Sequence, residues 1–170
     1  MKNFPIKDKD GKEYWISRAV CVLGCIFTEI NGVVHVLANK RGKGTPDFQG
    51  CWNMPCGYLD FDETTKEAVI REVYEETGVV VNPDYLHFWK FNDSPEANRQ
   101  NVTFRYYALI DDNQPGLISV GTGNDRGGEN DEVEAIGWIP VDNISQYQWA
   151  FNHEEIIKEF VGWLKITYYL

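Results

Sequence analysis

The sequence predicts an α/β fold in which a mixed sheet is covered on both faces by helices. Runs with strand character come first, one amphipathic helix interrupts them, further strands follow, and a second amphipathic stretch lies near the end. Capping signals precede both helical stretches. With 170 residues, 43% of them hydrophobic and 14% aromatic, the chain suits a single domain over residues 1–170 with a substantial core.

Taken in order, residues 1–15 read as a polar lead-in with a turn at Asp10-Gly11. Arg18 to Thr28 is nearly continuously apolar and predicts a buried strand, with Cys21, Leu23 and Cys25 on one face and Val20, Val22 and Gly24 on the other. Asn31-Gly32 supplies a hairpin turn into a strand over Val33 to Ala38, where His35 reads as an exposed strand residue. Residues 39–56 predict a loop whose Lys40, Arg41 and Lys43 either offer cations to a phosphate or are simply solvated.

The central helix begins at Thr64, which forms a capping box with Glu67, and stops at Gly78. Val69, Ile70, Val73 and Thr77 share the side that docks on a core. Strands are expected over Val79 to Val81 and Leu86 to Phe91, with a turn at Asn82-Pro83. Residues 92–101 form a polar loop before a strand over Val102 to Ile110. Residues 111–131, rich in glycine, read as a mobile loop or lid. The last strand spans Glu132 to Pro140, where Glu132 and Glu134 either reach the acidic cluster or point to water. Asn152 with Glu155 caps a closing helix striped by Ile156, Ile157, Phe160, Val161 and Leu164.

Glu72, Glu75 and Glu76 stand at i, i+3 and i+4 and crowd one strip beside the buried face of the central helix. Three carboxylates this close repel by roughly 4 kcal/mol per pair at about 4 Å with an effective dielectric near 20. Arg71, four residues before Glu75, offsets only part of that. A hard divalent cation suits the remainder, and magnesium or manganese also suits a phosphate-bearing substrate. Read alone, the three glutamates are equally compatible with a solvated acidic helix face.

Composition narrows the partners. A net charge of −10 disfavours nucleic acid, which is held by basic patches. It does not disfavour a small anion, because bound metal reverses the local sign. No apolar run is long enough to cross a bilayer, and the polar start is unlike a signal peptide, so the expectation is a cytoplasmic protein without a membrane partner. Cys21, Cys25, Cys51 and Cys56 miss the usual zinc spacing and read as free thiols.

The stretch from Gly57 to Val79 carries a larger pattern. Five residues separate Gly57 from Glu63 and seven separate Glu63 from Arg71. Arg71-Glu72-Val73-Tyr74-Glu75-Glu76-Thr77-Gly78-Val79 then completes G-x5-E-x7-R-E-U-x-E-E-x-G-U, where U is apolar. This resembles the signature of the Nudix hydrolases. The resemblance implies an α/β/α sandwich with a mixed, curved sheet and hydrolysis of a nucleoside diphosphate derivative with Mg2+ or Mn2+. It implies that Glu72, Glu75 and Glu76 bind metal, that Arg71 holds their geometry and that Glu63 binds or supports metal through water. Glu132 resembles an additional acidic residue of the catalytic site found near a tryptophan after the loop in some members. The backbone carbonyl before the first glycine often binds metal in the family, and here that position is Cys56 in place of the usual glycine.

Outside this signature, Asp93-Ser94-Pro95 with Arg99 and Val102-Thr103-Phe104, and Ala150-Phe151-Asn152-His153 before Ile156-Ile157, are similar to segments of the ADP-ribose pyrophosphatase-like branch. Arg41 and Arg99 are the candidate substrate-binding cations. Phe48, Trp52, Tyr58 and Phe61 are candidates to stack a base, although an aromatic in a fold of this composition is more often part of the core. A homodimer is consistent with the resemblance, since dimers are common in that branch. Two other readings stay open, a non-catalytic sensor of a nucleotide derivative and a nucleoside triphosphate sanitising enzyme.

Overall fold

A computed structural model describes residues 2–98, 100–110 and 131–168. Its organising element is the long apolar strand. Two short strands, β1 (Phe4–Lys7) and β2 (Glu13–Ile16), precede it, and it follows as β3 (Ala19–Ile30). The remaining elements are β4 (Val33–Arg41), β5 (Trp52–Asn53), β6 (Cys56–Tyr58), helix α1 (Thr65–Thr77), β7 (His87–Asn92), β8 (Asn101–Ile110), β9 (Val133–Pro140) and helix α2 (His153–Tyr168). Short 3-10 turns occupy Pro83–Tyr85 and Val141–Gln146.

The main sheet runs β5-β4-β3-β8-β7, with β6 added to β3 and β9 to β4. The pairing of β3 with β8 is parallel and the other pairings are antiparallel, so the sheet is mixed as expected. Because side chains alternate along β3, its two faces feed two cores. Val22 and Ile26 pack with Ala68, Val69 and Val73 of α1. Leu23, Cys25 and Phe27 pack with Ile156, Ile157, Phe160 and Leu164 of α2. Helix, sheet and helix thus form the predicted sandwich, and the stripes read from the sequence face the two cores, with Ile70 and Val161 partly buried at their margins.

Local chemistry explains the framing of the site. At Asn31 and Gly32 φ is 52° and 78°, the pair of left-handed residues that closes a two-residue hairpin. Thr64 and Glu67 form the reciprocal capping box, and Gly78 ends α1 with φ 70°. Helix α1 lies close on the sheet at Gly24, where an added Cβ would meet Val73 Cγ2 at 2.8 Å.

Three expectations are corrected. The polar lead-in contains a β1–β2 hairpin that forms a separate two-stranded sheet, because alternating Phe4, Ile6, Tyr14 and Ile16 give it strand character despite the lysines. Val79 to Val81 is not a strand. Val79 and Val81 are instead buried plugs beneath α1, since apolar side chains can fill a core without a ladder. Lys40 and Arg41 lie on β4 rather than in a loop, because pairing with β5 and β9 carries the strand three residues further. Arg99 and residues 111–130 of the expected mobile loop or lid lie outside the described residues.

Among the described residues no helix is long and apolar enough to cross a membrane. The four cysteines are free thiols. Burial pushes the Cys25 thiol up to about 12 and the Cys21 thiol up to about 11, so neither is reactive at neutral pH.

Candidate active site

The site forms where β6 meets the middle of α1. Strand β6 is held on β3 by the register Leu23↔Cys56 and Val22↔Gly57, which presents its backbone to the glutamates. The Cys56 amide donates to Glu76 Oε2 at 3.1 Å. Glu72 lies against Gly57, where an added Cβ would stand 2.1 Å from Glu72 Oε1. Gly57 is therefore needed for space, not for its torsion, since it is absent from the glycines with positive φ among the described residues. Cys56 is absent from the described non-glycine residues with positive φ, so cysteine stands there without a left-handed torsion.

Arg71 is the hub of the site. Its Nε and Nη2 grip both oxygens of Glu63 at 3.0 and 2.6 Å, and its Nη1 donates to Glu72 at 2.7 Å and Glu75 at 3.1 Å. Nη2 also donates to the Tyr58 carbonyl at 3.0 Å, tying α1 to β6. Helical spacing brings Arg71 to Glu75 alone, and the planar fork reaches Glu63 and Glu72 as well. Glu63 is committed to Arg71 and to the Asp60 amide, which donates to it at 2.9 Å. These hydrogen bonds hold the Glu63 carboxyl below its ordinary range.

Glu72 and Glu76 behave in the opposite way. Burial raises the Glu72 pKa against the pull of Arg71. Burial, followed by the charge of Glu72, pushes Glu76 well above the usual carboxylate range. Glu76 has a backbone amide rather than a cation as its hydrogen-bond partner. Among the described residues no three His, Cys, Asp or Glu side chains already converge as a metal cage, since Arg71 draws the oxygens of Glu63, Glu72 and Glu75 to itself. The donor set nevertheless fits a hard divalent ion, because the one guanidinium of Arg71 is shared among Glu63, Glu72 and Glu75 while Glu76 is bonded to a backbone amide, which leaves two enclosed carboxylates with raised pKa values only partly compensated, and oxygen ligands are what such ions prefer. Glu75 is the open member, with its side chain 57% exposed.

A cation stands at the end of β4. Arg41 is held by Asp47, through its carbonyl at 3.0 Å and its carboxylate at 2.8 Å, and its charge opposes the upward shift of Glu76. Glu132 lies beside Arg41, where its carbonyl accepts from the Gly42 amide at 2.7 Å. Its charge adds to the upward push on Glu76. Glu134 is turned aside into an ion pair with Lys40 at 2.7 Å.

His153, which in the sequence stands only within the segment Ala150-Phe151-Asn152-His153, is a structural post of the site. Buried at the start of α2, its Nδ1 accepts from the Met54 amide at 3.0 Å, and burial lowers its pKa to about 3. No local pattern signals a bond between residues this far apart. Of the four aromatic candidates, Trp52 packs edge-on against Tyr147 at 5.9 Å, Tyr58 and Phe61 are exposed, and Phe48 meets Phe151.

The model of the NUDIX domain matches residues 17–160. An ADP-ribose pyrophosphatase of Methanocaldococcus jannaschii is 30% identical over 163 residues, which are 93% of this chain and 83% of that protein. Among solved structures, the NUDIX domain of Shewanella oneidensis NrtR complexed with ADP ribose superposes with a TM-score of 0.67 at 24% identity, covering 92% of this chain and 93% of that one. A bifunctional NMN adenylyltransferase/ADP ribose pyrophosphatase from Francisella tularensis, complexed with AMP and a Mn ion, gives 0.66 at 21% identity over 86% of this chain and 42% of that one. These two structures support the fold.

Proposed function

This chain belongs to the Nudix family and is a pyrophosphohydrolase; on that premise we propose that it cleaves the pyrophosphate linkage of an ADP-ribose-like nucleoside diphosphate derivative. Magnesium or manganese would be held by Glu72, Glu75 and Glu76, with the Cys56 carbonyl as a further oxygen donor. The observation that carries this reading is the enclosed Glu72 and Glu76 pair packed on Cys56-Gly57. Family resemblance to an ADP-ribose pyrophosphatase over most of the chain supports the substrate class.

A bound divalent ion supplies neutralisation of the diphosphate oxygens and makes water more acidic. The residues of the chain do the rest. Arg71 fixes the orientation of Glu72 and Glu75, so their oxygens are preorganised. Gly57 leaves the space that Glu72 occupies. Arg41 offers a cation to the diphosphate from the end of β4, and Arg99 is a second candidate. Glu132 is the proposed acceptor for the proton of the attacking water.

The test is incubation with magnesium and a panel of ADP-ribose, NADH, dinucleoside polyphosphates and nucleoside triphosphates. AMP released from ADP-ribose is the expected product, and chelation of the metal abolishes its formation. Glu75→Gln lowers turnover by about 100-fold or more with the fold retained. Unchanged turnover in that variant overturns the metal assignment. Failure to cleave any member, with ADP-ribose still raising the melting temperature, identifies a sensor.

A further inference from the structure

Among the described residues, three non-glycine positions have positive φ: Asn31, Phe48 and Phe151. Asn31 belongs to the β3–β4 hairpin turn, where that conformation is ordinary. Phe48, with φ 51°, and Phe151, with φ 54°, are outliers, because bulky residues rarely enter the left-handed region. The two are far apart in sequence, yet their rings meet, with centroids 4.8 Å apart and planes tilted by 55°. The Arg41 guanidinium lies 5.2 Å from the Phe151 ring centroid.

Hydrogen bonds on both sides hold these torsions in place. The Cys51 amide donates to the Phe48 carbonyl at 3.0 Å, the Gly50 amide to the Arg41 carbonyl at 2.8 Å, and the Arg41 amide to the Cys51 carbonyl at 2.9 Å. On the other side, the Trp52 amide donates to the Gln148 carbonyl and the Ala150 amide to the Trp52 carbonyl, both at 2.8 Å. The Met54 amide then donates to His153 Nδ1 at 3.0 Å. Strained backbone persists only where its surroundings over-determine it, and it clusters at ligand clamps.

What the strain achieves is not core packing. Phe48 remains 46% exposed and Phe151 48% exposed, so two large apolar rings are held in water, where burial would stabilise them. Arg41 also lies within electrostatic reach of the glutamate cluster, since its charge opposes the upward shifts of Glu76 and of Cys56 beside it. A planar, apolar-faced group with an anionic tail matches a pair of rings followed by a guanidinium.

We propose that Phe48 and Phe151 form the platform on which the heterocyclic base of the substrate stacks, with Arg41 leading its diphosphate toward Glu72, Glu75 and Glu76. This deepens the hydrolytic reading and rests on it for the identity of the substrate. Ring stacking tolerates any planar base, so the platform selects nucleoside derivatives over base-free sugar phosphates without choosing among bases.

Calorimetric titration with AMP and with ribose 5-phosphate tests the platform without requiring turnover. Glycine accepts positive φ freely, so Phe151→Gly and Phe48→Gly retain or raise the melting temperature. Each weakens AMP binding by about ten-fold, the scale of a lost base–aromatic stack, and leaves ribose 5-phosphate binding unchanged. Phe151→Tyr retains AMP affinity, and in hydrolysis assays the glycine variants raise KM more than they lower kcat. AMP affinity within two-fold of the starting protein in both glycine variants overturns the proposal, as does no AMP binding to the starting protein. Equal loss of AMP and ribose 5-phosphate also overturns it, since that outcome marks a structural role. If AMP binding depends on the rings but no pyrophosphate is cleaved, the hydrolytic reading fails and the platform stands. If ADP-ribose is cleaved with unchanged KM in both glycine variants, the platform fails and hydrolysis stands.

Discussion

At Gly57 a methyl group would stand 2.1 Å from Glu72 Oε1 and 2.3 Å from its Cδ. The obstacle is the far end of a side chain, so Gly57→Ala is accommodated by displacing Glu72 rather than by unfolding. Activity is expected to fall by about 10- to 100-fold, as for residues that orient a metal ligand, while the thermal unfolding temperature moves little. A large stability loss would show that the strand itself, not Glu72, needs the glycine. Glu76 allows a complementary test. Burial raises its pKa, so its ionised form costs stability at neutral pH. Glu76→Gln keeps an acceptor for the Cys56 amide and removes the charge. In metal-free buffer at pH 7.5 the variant should melt higher than the starting protein, and magnesium should raise the melting temperature of the starting protein only. Equal magnesium stabilisation of both would remove Glu76 from the ligand set.

Among the elements, the junction of β5 with α2 carries a pH dependence. His153 must be neutral to accept from the Met54 amide, and burial lowers its pKa from 6.5 to about 3. The folded value is depressed, so below pH 6.5 the unfolded chain binds the extra proton. Its contribution is complete above pH 6.5 and falls by roughly 1.4 kcal/mol per pH unit as the pH drops toward the folded value. Glu72 and Glu76 act in the opposite sense, because their folded values are raised and their contribution is lost as pH rises. Comparing urea unfolding of the starting protein with His153→Gln from pH 7 to 5 isolates the histidine, and the variant should lack this slope. Parallel curves would show that His153 is not the titrating group. Helix α1 was the most legible element, because its cap, apolar face and left-handed stop are all local signals. The extension of β4 to Arg41 was not legible, since the glycine-bearing segment around it has no alternation and its pairing with β5 and β9 is settled by distant strands.

For the molecule as a whole, the two-stranded sheet of β1 and β2 stands apart from the main sheet, with Trp15 68% exposed. A lone hairpin is marginally stable in water. Removal of residues 1–16 is therefore expected to leave the melting temperature within about 2 °C, because the two cores take nothing from it. A fall of 10 °C would reveal that the hairpin supports the body. The sequence by itself determined the sandwich, the run of α1, and the placement of Glu72, Glu75 and Glu76 on one strip. Helical spacing and capping are local, and the signature from Gly57 to Val79 is contiguous. Only the tertiary structure decided that Arg71 grips Glu63, Glu72 and Glu75 together, that the Cys56 amide serves Glu76, that Glu134 pairs with Lys40, and that Phe48 meets Phe151. Each of these depends on where the folded sheet brings distant backbone segments, and the spacing of residues along one segment carries no information about the partner that arrives from another.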